Sequence, residues 1–376
     1  MADLTIQIII AAVMLVICLI AAIYGKLIRL TSSNKATEEA HNINKPVSIV
    51  ITVRDEVAEL QRTLPLWLSQ EYPDYEVIVV IEKGNNDVED VIKRLAGNKR
   101  LYTTYIPQSS RYMSRKKLSI TLGIKAAKHN IILLTEPTTI PPNNEWLNKA
   151  AQYCVNHNFV LGLTQYENNA ADLYRYEQII TTTRIINHTQ RFRAIRTNMP
   201  LIMFNKDEFM NQHGFRQNQK YLRGEYDFIT NQLGGKTAVC MNIDDKCDEI
   251  APTAKQWKNT HLFYQETKKH LNYIKWYNII SATEQILYHA SMFISLIVTI
   301  IAIMNQYLIL TITLPIEIIL LVIIRTKFIN NILTKHHVKI PTWKVALLDL
   351  TTTWRNISWK IKYYKADHYD FISHKI

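Results

Sequence analysis

The chain has 376 residues, 48% of them hydrophobic and 20% charged, with 9 glycines and 11 prolines, which excludes a disordered tail and collagenous or low-complexity sequence. It is long enough for one large or two small domains. Lys and Arg outnumber Asp and Glu by 44 to 32, a net charge of +12 compatible with nucleic acid, anionic lipid or phosphorylated substrates. No G-x-x-x-x-G-K-S/T or G-x-G-x-x-G occurs, which argues against a P-loop and a dinucleotide-binding turn. Cys18, Cys154, Cys240 and Cys247 form neither a C-x-x-C nor a zinc-type spacing with His and read as reduced thiols.

Leu4 to Tyr24 carries one polar amide, Gln7, in 21 residues, the length that crosses a bilayer's hydrocarbon core. It reads as a spanning anchor rather than a cleaved signal, because only Asp3 precedes it, the run is long, and Lys26 and Arg29 follow. Pro46–Val53 is then a β-branched, nearly continuous apolar run, as a buried parallel strand would be. Glu56–Gln70 reads as a helix with Leu60, Leu64 and Leu68 on one face. Tyr75–Ile81, Leu101–Ile106 and Ile131–Thr135 repeat the strand signal, and Val88–Leu95 and Leu118–Ala127 the helix signal. This alternation predicts an α/β fold, an open, mostly parallel sheet with helices on both faces.

Ligands of such sheets sit beyond the carboxyl ends of the strands. The residues there are Thr52, Arg54, Asp55 and Glu56 after the first strand, Glu82 after the second and Glu136 after the fourth. Three acids recurring at strand ends exceed what a solvated surface needs.

A second apolar block, Ile286–Ile324, is split by Asn305-Gln306-Tyr307 and fits a membrane hairpin of two helices of about 17 to 19 residues. Glu317, near Pro315 in the second, is assigned no role. From Arg325 onward ten Lys/Arg face three acids, and with Lys26 and Arg29 this puts the amino terminus outside, and the soluble segment and carboxyl terminus inside. The organisation expected is an anchor at 1–30, a cytoplasmic domain at 45–280, a transmembrane hairpin at 284–325 and a basic membrane-surface tail at 326–376. The positive charge is then mostly a membrane-surface feature, and no nucleic-acid partner is expected.

PVSIVITVRDE, LPLWLSQEYPDYEVIVVIEKGNND and SRKKLSITLGIKAAKHNIILLTEPTTIPPNNEWL together resemble the membrane-bound family-2 glycosyltransferases of GT-A fold, whose patterns run PVSVIIxARNE, QxYPxxEVIVVDD, KKxALxxGIxxA and LLTDADCxPxxxWL. The likeness covers about residues 46 to 230, and the hairpin agrees in position. It implies transfer of a sugar from a nucleotide-diphosphate donor to a lipid-linked or envelope polysaccharide acceptor, with inversion, at the plasma membrane. Mn2+ or Mg2+ on oxygen ligands would hold the diphosphate, and a carboxylate would take the acceptor's proton.

Carried over by position, the resemblance implies that Thr52 and Arg54 line the nucleotide pocket with Glu56 behind them, that Glu82 holds the base and that Lys117 lies near the nucleotide. Glu136-Pro137-Thr138 stands where the family has D-x-D; Thr138 removes the second carboxylate and leaves a weak metal site. Leu222-Arg223-Gly224-Glu225-Tyr226-Asp227 resembles S-G-D-D-D with Tyr226 in place of the middle acid. Glu225 and Asp227, two residues apart and on one side of a strand or loop, are both candidate bases, and Asp227 could equally cap a helix. No Q-x-x-R-W follows; Trp257 is its nearest echo and reads as an interface anchor. Because the scaffold positions are kept and several chemical ones differ, a second reading stands beside the enzyme. In it the chain is a non-catalytic membrane protein of this fold that binds a nucleotide sugar or a partner enzyme.

Overall fold

The computed structural model describes residues 2–23, 45–106 and 114–372. These divide into one unit of Met1–Leu30 with Lys275–Ile357 and another of Thr31–Ile274 with Ser358–Ile376. Lys26 and Arg29, used above for topology, lie outside the described residues.

The first element is α1 (Ala2–Ile23). The α/β unit follows with β1 (Val47–Thr52), α2 (Val57–Leu68), β2 (Tyr75–Glu82), α3 (Asn86–Arg94), β3 (Leu101–Ile106), α4 (Arg115–Ala126), β4 (Ile131–Thr135), β5 (Thr139–Ile140), α5 (Trp146–Asn156), β6 (Phe159–Leu161), β7 (Thr164–Tyr166) and α6 (Asp172–Arg191). It continues through β8 (Leu201–Asn205), α7 (Lys206–Asn211), α8 (Glu225–Ile229), β9 (Val239–Cys240), β10 (Cys247–Glu249) and α9 (Ala254–Thr267). Seven strands form one sheet in the order β3-β2-β1-β4-β8-β6-β9, in which β8 runs antiparallel to both neighbours and the other pairs are parallel. A small second sheet, β5-β10-β7, adjoins the end of β4.

The central strands are continuous apolar runs because both of their faces are covered: every residue of β1 is buried, as is all of β2 but Glu82. β3, at the edge, leaves Tyr102 and Tyr105 exposed. α4 lies closest to the sheet at Gly123, where a Cβ would meet Val50 Cγ1 at 2.5 Å and Val80 Cγ2 at 2.9 Å. Glycine there lets the helix approach and so fixes where its N-terminus stands. Trp67 of α2 meets Trp146 of α5 edge-on, and the Trp67 Nε1 donates to the Thr139 carbonyl at 3.2 Å. All four cysteines are buried and unpaired.

The other unit is helical: α1, α10 (Ile274–Met304), α11 (Leu308–Lys335) and most of α12 (Thr342–Lys365). Leu4–Ile23, Ile274–Met304 and Leu308–Lys335 are long and apolar enough to cross a membrane. The hairpin turns at Asn305-Gln306-Tyr307, with Gln306 left-handed at φ 58°. Its helices are 31 and 28 residues, longer than the apolar runs alone suggest. At about 1.5 Å per residue α10 reaches about 46 Å, beyond a core of about 30 Å, so polar turns extend each helix.

Arg325, counted above as the first charge of a surface tail, is instead buried in α11. It donates to Asp349 of α12 at 2.6 Å and to Glu284 of α10 at 3.2 Å, and lies over the Tyr288 ring. Residues 326–357 belong to the helical unit and Ser358 onward to the α/β unit. Trp257, read as an interface anchor, packs inside the α/β unit, stacked on Tyr174 and edge-on to His261 and Trp359.

Candidate active site

Three consecutive cations open α4: Arg115, Lys116 and Lys117. Successive helical residues point about 100° apart, so each meets a different neighbour. Arg115 pairs with Glu82 at the end of β2. Lys116 Nζ stands 3.1 Å from Glu136 Oε1, just past β4, and 3.4 Å from the Thr52 carbonyl at the end of β1. Lys117 Nζ donates at 2.6 Å to the carbonyls of Asn218 and Tyr221, in the loop before α8. The ends of β1, β2 and β4 and the approach to α8 therefore gather at one helix terminus. Ser114 caps that terminus, and its first turn holds no acid of its own, so the positive end of the helix dipole adds to the cations that Glu82 and Glu136 face.

Glu56 closes the turn after β1: its Oε2 accepts from the backbone N–H groups of Arg54 at 2.8 Å and Asp55 at 3.1 Å. It positions the loop that carries Arg54, whose exposed guanidinium pairs with Asp55 at 3.4 Å. The Thr52 hydroxyl is buried and, among the described residues, has no partner; the Thr135 hydroxyl of β4 is in the same state. Lys117, expected near the nucleotide, is deeply placed. It is fully buried, held by the two carbonyls and set over the Phe228 ring, and burial pushes its ammonium down to about 8 against the pull of Glu225. Its neighbours Arg115 and Lys116 are the cations that reach the strand ends.

The acids of α8 also differ from expectation. Residues 225 to 229 are helical, so Glu225 and Asp227 point about 200° apart instead of to one side. The residue before the helix is Gly224, at φ +95°, and a Cβ there would lie 2.5 Å from Thr267 Cγ2, so the entry into the helix is glycine-specific. Asp227 does not cap; its Oδ1 accepts from the Thr197 N–H at 3.0 Å, with Arg196 Nε at 3.7 Å. Burial pushes it up to about 6, with Arg196 and Thr197 opposing. Glu225 is 5% exposed, and its Oε1 has no partner among the described residues. The Tyr226 hydroxyl is likewise buried without a partner, and burial raises its pKa well above the ordinary range.

Glu249 of β10 completes the acidic group. It accepts from Thr164 Oγ1 at 2.6 Å and Gln178 Nε2 at 3.0 Å, and burial, with Glu136 adding to it, pushes its carboxyl up to about 8. Lys116, Arg115, Arg196 and Glu249 were not singled out in the sequence. The signal for Lys116 lay in the run of three cations, which needs the helix register to be assigned.

Oxygen ligands for Mn2+ or Mg2+ would have to come from Glu136 and Thr138. The Glu136 carboxylate already holds Lys116, Thr138 offers one hydroxyl, and the Glu249 carboxyl is taken up by Thr164 Oγ1 and Gln178 Nε2. Among the described residues no three His, Cys, Asp or Glu side chains gather. A hard divalent ion takes six or more oxygens and favours carboxylates; this donor set does not fit one.

Residues 44–215 match the family described as glycosyltransferase like family 2. Among solved structures, the mannosyltransferase PcManGT from Pyrobaculum calidifontis, in complex with GDP-Man and Mn2+, aligns at 14% identity over 94% of this chain and 99% of its own, TM-score 0.53. S. aureus TarS 1–349, in complex with UDP-GlcNAc, aligns at 11% identity over 82% of this chain and 92% of its own; its TM-score of 0.44 adds nothing to the fold assignment. No curated protein sequence matches the chain. The architecture is GT-A-like, with three helices able to span a membrane.

Proposed function

We propose, from the match of residues 44–215 to the glycosyltransferase like family 2, the following reaction: transfer of a sugar from a nucleotide-diphosphate donor to a lipid-linked or envelope polysaccharide acceptor. The observation that carries this reading is the gathering of the strand-end acids Glu82 and Glu136 and the approach to α8 around the N-terminus of α4 by Arg115, Lys116 and Lys117. Thr52, Arg54 and Glu82 line the nucleotide side, with Glu56 shaping the loop. The donor's diphosphate lies toward the α4 terminus, where the helix dipole favours an anion.

The acceptor hydroxyl attacks the anomeric carbon as the bond to the diphosphate oxygen breaks, so a single displacement inverts that carbon. Glu225 takes the hydroxyl's proton; its unpartnered oxygen suits a base better than Asp227, which Thr197 and Arg196 hold. The soluble domain works on the cytoplasmic side of the plasma membrane, where a membrane-anchored domain meets a lipid-linked acceptor in two dimensions.

Incubating the detergent-solubilised chain with UDP-, GDP- and dTDP-sugars and following nucleotide release tests this directly. Release with one of them, raised by acceptor lipid, is expected. A second reading, donor binding without turnover, is favoured by Tyr226 at the middle position of the acidic motif; donor binding with no release under any condition would establish it.

A further inference from the structure

In the D-x-D arrangement that the sequence resembles, two carboxylates and a divalent cation sum to zero charge. At the end of β4 the chain offers a single carboxylate, Glu136, and a single ammonium, Lys116, which also sum to zero. The ammonium is tied to both central strands, to Glu136 Oε1 at 3.1 Å and to the Thr52 carbonyl at 3.4 Å. Its side chain is only 14% exposed, which keeps water screening low. A lysine ammonium has three N–H donors; among the described residues two oxygens stand within its reach, which leaves one donor for an incoming oxygen. Beside it Arg115 holds Glu82 while remaining half-exposed, and α4 brings the positive end of its dipole.

We propose that the Lys116 ammonium stands where a divalent cation would stand, and that this site holds the donor's diphosphate without metal. Glu136 is then not a metal ligand but the group that fixes the lysine, and the loss of the second carboxylate at Thr138 follows: a single positive charge needs one counter-charge. A second carboxylate beside one ammonium would leave a net negative charge facing the phosphates. This inference rests on the nucleotide-sugar reading above.

The test is calorimetric titration of UDP, GDP and dTDP into the detergent-solubilised full chain, once in EDTA and once in manganese. At least one nucleotide is expected to bind with the same Kd, within about twofold, in both. Lys116→Met should weaken that binding about tenfold to a hundredfold, the range of one charge-assisted hydrogen bond, and Lys116→Arg should keep most of it. Glu136→Gln should keep binding independent of manganese. Tightening of wild-type binding by manganese of more than about tenfold overturns the proposal and leaves the donor reading standing. An unchanged affinity in Lys116→Met also overturns it. Should Lys116→Met fail to fold, as judged by its thermal unfolding, the wild-type comparison and Lys116→Arg still decide. Binding of none of the three nucleotides in either condition overturns the donor reading, and the proposal with it.

Discussion

At the ends of β2 and β4, Glu82 and Glu136 are partly exposed, and each is matched by a cation from the first turn of α4. Past residue 221 the acids are treated differently: Glu225, Asp227 and Glu249 are buried or nearly so, and burial raises the carboxyls of Asp227 and Glu249. Matched charge at a partly open strand end suits holding a polyanion that comes and goes, because the cations are already in place when it arrives. Buried acids with raised pKa values suit handling protons, or structural roles in which the acid stays neutral. The same residue type thus stands in two environments, and the difference lies in solvation rather than in sequence spacing.

The largest expected effect that would sharpen this contrast is on the buried side. Asp227→Ala removes the acceptor of the Thr197 N–H and the counter-charge of Arg196, so unfolding of the detergent-solubilised chain should show a loss of about 3 kcal/mol. Asp227→Asn, which keeps an acceptor, should lose less. If the alanine variant is as stable as the wild type, the buried acid is not structural. Next comes the helix that carries the cations. Gly123→Ala would stabilise an isolated helix by about 1 kcal/mol, yet here the added methyl meets Val50 and Val80 below contact distance. A net loss of about 1 to 3 kcal/mol is expected, and a gain would mean that α4 can move off the sheet freely.

A pH effect follows from Glu249. Its folded value, about 8, lies above its ordinary 4.5, so the folded protein keeps a proton that the unfolded chain has released. The stability this carries is fully present below about pH 4.5 and is lost as pH rises through about 8. Thermal unfolding followed from pH 6 to 9 should fall in the wild type and fall less in Glu249→Gln; parallel curves would show that the carboxyl is ionised throughout. The smallest effect belongs to the accessible side. Arg115→Ala removes a partly exposed pair and should change stability by less than about 1 kcal/mol, and a larger loss would place Arg115 in the fold rather than at its surface.

Much of the first half of the α/β unit is legible in the sequence for one reason. β1, β2 and β4 are buried on both faces, so Val47–Thr52, Tyr75–Glu82 and Ile131–Thr135 stand out as unbroken apolar runs. The second half hides. β5, β6, β7, β9 and β10 have two or three residues each, too few for any periodicity to appear. α6 buries Thr182, Thr183 and Asn187 alongside its isoleucines, which blurs the apolar stripe a helix normally shows. The site divides along the same line. Glu82 and Glu136 could be placed because a strand end locates them. Lys116 could not be separated from Lys117 without knowing that α4 starts at Arg115 rather than Leu118. Glu225 and Asp227 were assigned to one side by a period of two, whereas α8 gives them a helical turn and opposite neighbours.

The division of labour between the two acids of α8 is tested most directly by comparing Glu225→Gln with Asp227→Asn in single-turnover transfer, with donor affinity measured separately. Glu225→Gln is expected to bind donor as the wild type does and to transfer sugar about a hundredfold to ten-thousandfold more slowly, the range for losing a general base. Asp227→Asn, if folded, should transfer at a rate within about tenfold of the wild type. Wild-type transfer by Glu225→Gln together with loss of transfer in folded Asp227→Asn would contradict the assignment and make Asp227 the base.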